Sequence, residues 1–151
     1  PWGRPDMAPM IFAKSIFSKK PIKIFNFGKM ERDFTYVDDV IQIITKLISK
    51  PAIANKEFDR KNPDPSISWA PFMIFNIGNS KKVKLMRFIE ILEDTIGIKA
   101  IKEFTEIQPG DVKSTAADTY AIEKYTGIKP NTAIEVGIER FVSWYKNYYG
   151  Y

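Results

Sequence analysis

Apolar positions along the 151 residues fall into two periods, three and four apart in some stretches and two apart in others. Met7, Met10, Ile11 and Phe17 set out a helical stripe that Pro21 stops, with Lys19 and Lys20 at the end where cations suit the helix dipole. "IKIF" (22–25) reads as a short strand, "NFGKM" as a glycine turn and "RDFTYV" (32–37) as a second strand, so the pair is expected to form a hairpin. Asp38 and Asp39 stand where an N-cap and a first-turn acid belong. Val40, Ile41, Ile44, Leu47 and Ile48 then repeat at helical spacing to about Lys50. Ile43 adds a second apolar side, which predicts a helix buried on more than one face.

Residues 51–72 carry Pro51, Pro63, Pro65 and Pro71 among polar residues and predict a long loop insertion, a feature that is either functional or mobile. "MIFNIG" (73–78) is nearly all apolar, as a strand covered on both faces would be. A helix is predicted over 85–95, with Phe88, Ile89 and Leu92 inward and Gly97 ending it. "AIKEFTEI" (100–107) alternates like a strand and "QPGDV" (108–112) is a turn. Helices over 118–126 and 132–148 complete an α/β pattern without internal repeats.

Composition narrows the chemistry. Apolar residues make up 44% and charged residues 27%, ordinary for a globular chain long enough to bury a core of its own. Neither cysteine nor histidine occurs, which excludes disulfides, thiolate and imidazole metal sites, and Ser-His-Asp or Cys-His catalysis. The net charge of +5 fits an anionic partner, but the lysines come in ones and twos, so nucleic acid is not the expected one. No apolar run approaches the roughly 18 residues of a membrane span. Residues 1–20 mix charges throughout and lack the apolar centre of a signal peptide, so a cytoplasmic setting is expected.

Three residues invite a functional reading, each beside a plainer one. Arg4 sits in a Gly-Arg-Pro turn, facing either solvent or a ligand. Arg32 is either a strand-edge arginine paired with Glu31 or Asp33, or a guanidinium held for an anion. Asp111 follows Pro-Gly and either bonds its own backbone, as Asx turns do, or serves a ligand. Tyr120 and Lys124 share a helical face with Tyr-x-x-x-Lys spacing, but no glycine-rich dinucleotide fingerprint precedes them, and they read as surface.

The ordered set "PWGRPDMA" (1–8), "RDFTYVDDV" (32–40), "FNIGNS" (75–80), "QPGDV" (108–112) and "TGIKPNTAIEVGIERFVSWY" (126–145) is more specific than any one motif. It resembles the C-terminal part of extended short-chain dehydrogenase/reductases that act on nucleotide sugars, most of all UDP-glucuronate 4-epimerases. The resemblance implies a small mixed sheet with helices, forming one UDP-sugar-binding domain over 1–151, with the N-terminal NAD-binding Rossmann half missing. It implies Arg32 on the UDP diphosphate, Arg4 facing a sugar carboxylate and Asp111 accepting from the ribose hydroxyls. Phe25 would line the uracil pocket, with Met7 and Thr115 near the nucleotide. Gln108 stands where many relatives carry a second phosphate-binding arginine.

In the intact family enzyme NAD takes and returns a hydride at C4 through a 4-keto intermediate, in the synthesis of surface polysaccharide precursors. This chain is expected to bind no cofactor, to supply no catalytic residue and to catalyse nothing unaided. Its expected partners are a UDP-sugar and either an N-terminal half or a second copy. The alternatives are a UDP-sugar decarboxylase or dehydratase of the same family, and a non-catalytic remnant or binding module.

Overall fold

A computed structural model describes residues 5–151, which divide into two compact units. Residues up to Phe34, Lys81–Thr115 and Ala133–Tyr151 form the first; Thr35–Ser80 and Ala116–Thr132 form the second.

The first unit contains α1 (Ala8–Phe17), β1 (Pro21–Ile24), β2 (Glu31–Asp33), β3 (Lys82–Lys84), α3 (Leu85–Ile96), β4 (Ile101–Phe104) and α5 (Ile134–Tyr149). The strands make two short ladders: β1 beside β4 in parallel, with Ile24 opposite Phe104, and β2 beside β3 antiparallel, with Arg32 opposite Val83. Ile22 and Ile24 alternate inward from β1 and meet Phe12 and Ile16 of α1, Ile89 and Leu92 of α3, and Val142 and Tyr145 of α5 in one buried core. Phe88 stacks on Phe34 with ring centroids 4.8 Å apart. Gly97, in the left-handed conformation at the end of α3, donates its N–H to the Glu93 carbonyl at 2.8 Å and closes the helix as its position predicts.

The second unit is built from α2 (Val37–Ile48), the long 51–80 segment and α4 (Tyr120–Thr126). Ile43 and Ile122 are fully buried. The buried Asp39 carboxylate accepts from the Asn131 and Thr132 N–H groups (3.2 and 3.0 Å) and from the Thr132 hydroxyl (2.8 Å), tying α2 to the segment after α4. Tyr125 donates from its hydroxyl to the Lys50 carbonyl at 3.1 Å and packs its ring 5.0 Å from that of Phe75.

Several expectations are corrected. β1 and β2 form no hairpin. Asn26, Phe27 and Gly28 are all left-handed (φ 49°, 50° and 76°), and the two strands find partners distant in sequence. Alternation marks a strand but does not name its partner. Residues 73–78 form no ladder among the described residues beyond a bridge from Met73 to Ile67; Met73, Phe75 and Ile77 are half-buried while Ile74 and Asn76 are exposed. In α1 the buried side is Phe12, Ala13 and Ile16, and Met7 and Ile11 are exposed. The N-cap of α2 is Tyr36, two residues before the expected Asp38, and makes no side-chain cap, while Asp38 and Asp39 both stand in the first turn. Only one side of α2 is buried, centred on Ile43, and Val37, Ile41, Ile44 and Ile48 stand exposed.

Candidate ligand site

The C-terminal ends of β1 and β4 meet at a tight turn. The Thr105 N–H donates to the Ile24 carbonyl (2.9 Å) and the Thr105 carbonyl accepts from the Phe27 N–H (3.1 Å). Ligands collect at such carboxyl ends of parallel strands because the chain leaves the ladder there. Left-handed φ at Phe27 costs about 1–3 kcal/mol, so the surroundings must hold it. Asn26 helps by donating its side-chain amide to the Lys29 carbonyl at 2.8 Å. At Gly28 a Cβ would stand 2.7 Å from Met86 Sδ, so no larger residue fits the turn as it is packed. Phe25 opens this turn, half-buried. Thr105 Oγ1 is buried beside it with no hydrogen-bond partner among the described residues.

A strap from the 108–112 turn runs along β2. The Glu31 N–H donates to the Lys113 carbonyl (2.9 Å), the Thr115 N–H donates to the Glu31 carbonyl (3.3 Å), and Ser114 lies opposite Glu31 in parallel. Across this junction lies Arg32. Its Nη1 donates to the Glu31 carbonyl at 2.8 Å and to the Lys113 carbonyl at 3.4 Å. Arg32 makes no ion pair among the described residues. Its neighbours Glu31 and Asp33 sit opposite Lys84 and Lys82 of β3, and alternation turns them to the other face. The strand-edge pairing with Glu31 or Asp33 is therefore not formed. Arg32 is a half-buried cation pinned by one nitrogen, with no bond from Nε or Nη2 among the described residues.

The 108–112 turn is closed by the Asp111 N–H donating to the Gln108 carbonyl at 3.1 Å, with Gly110 at φ +88°. The exposed Asp111 carboxylate does not bond its own backbone, so the Asx alternative is not realised. The strap bonds hold Lys113 and Thr115 at β2, and Gln108 and Asp111 lie on the turn that leads into them. Met7 caps the start of α1, its carbonyl accepting from the Met10 and Ile11 N–H groups at 3.1 Å each, and no described contact joins it to the strap. Arg4 lies outside the described residues. Tyr120 is exposed, with Lys124 Nζ 6.0 Å from its ring centroid, an ordinary helix-surface contact.

A profile of the NAD dependent epimerase/dehydratase family matches residues 3–59. The protein named "Protein CapI" from Staphylococcus aureus is 46% identical over 149 residues, covering 99% of this chain and 45% of the relative. A "Probable UDP-glucuronate 4-epimerase" from Rhizobium meliloti is 41% identical over 150 residues, covering 99% of this chain and 44% of the relative. The fold matches that of UDP-glucuronic acid 4-epimerase from Bacillus cereus, solved with UDP-glucuronic acid and NAD. The TM-score is 0.77 at 27% identity, over 98% of this chain and 42% of that one. The chain is thus similar in sequence to part of these relatives and in fold to part of the Bacillus cereus epimerase.

It spans less than half the length of the curated relatives it matches. Within that epimerase-type frame, two site features were not legible in the sequence. Lys113 is one more surface lysine in the sequence, and only the strap bonds carry it to Arg32. Thr105 looks like one more alternating residue until its hydroxyl is found buried. No helix among the described residues is long and apolar enough to cross a membrane.

Proposed function

We propose that this chain supplies the UDP-sugar-binding part of a nucleotide-sugar 4-epimerase, most like one interconverting UDP-glucuronate and UDP-galacturonate in the cytoplasm. The observation that carries the reading is Arg32: a guanidinium fixed to two backbone carbonyls, without a carboxylate partner, at the junction of β2 and the 111–115 strap. Its planar fork suits two phosphate oxygens. Asp111, with its carboxylate exposed on the same segment, is placed to accept hydrogen bonds from a sugar's hydroxyls. The tight turn at Phe25 would receive the base, and Arg4 would face the uronic carboxylate.

NAD, present in the Bacillus cereus structure, is not fitted by the residues described here. A dinucleotide pyrophosphate is held by a glycine-rich turn between a strand and a helix. Among the described residues a strand passes directly into a helical turn at Ile24 to Phe25, with the single Gly28, and at Lys84 to Leu85, with no glycine, so neither passage is glycine-rich. The reading therefore gives this chain the grip on the nucleotide sugar and leaves hydride transfer to the remainder of the enzyme. The exposed stripe of α2, Val37, Ile41, Ile44 and Ile48, supports a covering partner. Because the relatives are more than twice as long, that partner is read as the half they carry beyond the match.

Calorimetric titration with UDP and UDP-glucuronate tests the reading. The chain is expected to bind both. Arg32→Ala should weaken both by about 10- to 100-fold, the worth of a charge-assisted contact of roughly 1.5–3 kcal/mol. Arg4→Ala should weaken UDP-glucuronate alone. UDP binding untouched by Arg32→Ala would sink the proposal.

A further inference from the structure

One guanidinium is a weak match for a diphosphate, which carries at least two negative charges along its length. The residue that would classically share the load at the turn, Gln108, is neutral and exposed. The structure nevertheless puts a second positive residue beside Arg32. The Lys113 carbonyl takes one bond from Arg32 Nη1 and another from the Glu31 N–H, so residue 113 is fixed within one peptide unit of the guanidinium. Lys113 is exposed, and its ammonium has no hydrogen-bond or ion-pair partner among the described residues. Four other lysines have such partners. Lys102 is held by Glu93, Lys99 by Glu93 and Asp94, Lys129 by Glu123, and Lys50 by the Tyr125 carbonyl. Lys82 and Lys84 sit opposite Asp33 and Glu31.

The strap fixes the backbone of Lys113 at Arg32, so both positive side chains start from adjoining main-chain groups, and an anion that reaches both would draw them together. The backbone fixes this juxtaposition whatever the side chains do, because the strap bonds involve main-chain groups of residues 31, 113 and 115. Resting on the nucleotide-sugar reading above, we propose that Lys113 is the second cation of the diphosphate site. Arg32 would take one phosphate with its planar fork and Lys113 the other as a mobile point charge. The site would then need no arginine at position 108.

The test uses the whole 151-residue chain, titrated with UDP, UMP and uridine at low and at physiological salt. Lys113 is exposed, so Lys113→Gln and Lys113→Glu are expected to melt as the wild type does. Lys113→Gln should weaken UDP about 5- to 10-fold at low salt, weaken UMP less, and leave uridine unchanged. It should also flatten the salt dependence of UDP binding, while Lys113→Arg keeps it. Lys113→Glu should weaken UDP further still. If UDP binds Lys113→Gln and Lys113→Glu as it binds the wild type while Arg32→Ala loses it, the role of Lys113 is overturned and the nucleotide site stands. If the wild type binds no UDP, both fall together.

Discussion

At the scale of single residues, Arg32 shows how a cation can be positioned without being neutralised. A carboxylate partner would orient the side chain but would also compete with any incoming phosphate. Two backbone carbonyls orient it at the cost of one nitrogen only. Lysine cannot reproduce this, since its ammonium has no second edge to present while the first is engaged. Arg32→Lys should therefore recover only part of the UDP affinity that Arg32→Ala loses, with an unchanged melting temperature. Full recovery would mean that position 32 contributes charge alone. The sequence made Arg32 and Asp111 visible because both sit in short, composed turns and strand ends. It left open whether each was already satisfied locally, and that depended on where neighbouring acids pointed. Alternation sends Glu31 and Asp33 away from Arg32, and a backbone bond, not the Asp111 carboxylate, closes the 108–111 turn.

At the scale of elements, α3 and β4 are joined by the most buried ionic contact among the described residues. Glu93 is only 3% exposed and holds Lys102 and the exposed Lys99, while one of its oxygens accepts from the Ala100 N–H at 2.9 Å. Burial opposes the charged form, but the Lys102, Ala100 and Lys99 contacts outweigh it, and the Glu93 carboxyl lies below the ordinary glutamate value of 4.5. A carboxyl depressed in the folded state stabilises the fold fully above its unfolded pKa, and this contribution disappears as pH falls through the folded value. Glu93→Gln should therefore lower stability at neutral pH by about 1–3 kcal/mol, less than a fully buried pair would lose, because Lys102 is partly solvated. The gap to the wild type should close as the pH drops below about 4. Urea unfolding at neutral and acid pH checks this, and an equal gap at both would contradict it. The same two elements mark the limit of sequence reading. Both were legible from periodicity, and Gly97 marked the helix end, but the pairing of β4 with β1 was not. A parallel partner eighty residues away leaves no local trace.

At the scale of the whole molecule, the exposed stripe along α2 calls for a physical account. Val37, read from the sequence as a strand residue, and Ile41, Ile44 and Ile48, whose periodicity alone made them look like core, recur at helical spacing, with Ile48 76% exposed. Periodicity shows that a face is apolar but not whether this chain or another covers it. Without its covering partner the chain should bind an environment-sensitive apolar dye and associate as concentration rises. Replacing Ile41 and Ile44 by glutamine should reduce both several-fold without lowering the melting temperature. A wild-type chain that stays monomeric in light scattering and ignores the dye would show that the stripe needs no partner.

The central claim is that a nucleotide diphosphate is gripped at the meeting of the β1 turn, β2 and the 111–115 strap, and nuclear magnetic resonance of the backbone amides maps it most directly. On adding UDP, the largest shifts are expected at Phe25, Phe27, Arg32, Asp111, Lys113 and Thr115, and at Thr105 if its buried hydroxyl senses the base, with α5 unmoved. Saturating shifts confined to other elements, or none at millimolar UDP, would contradict the account.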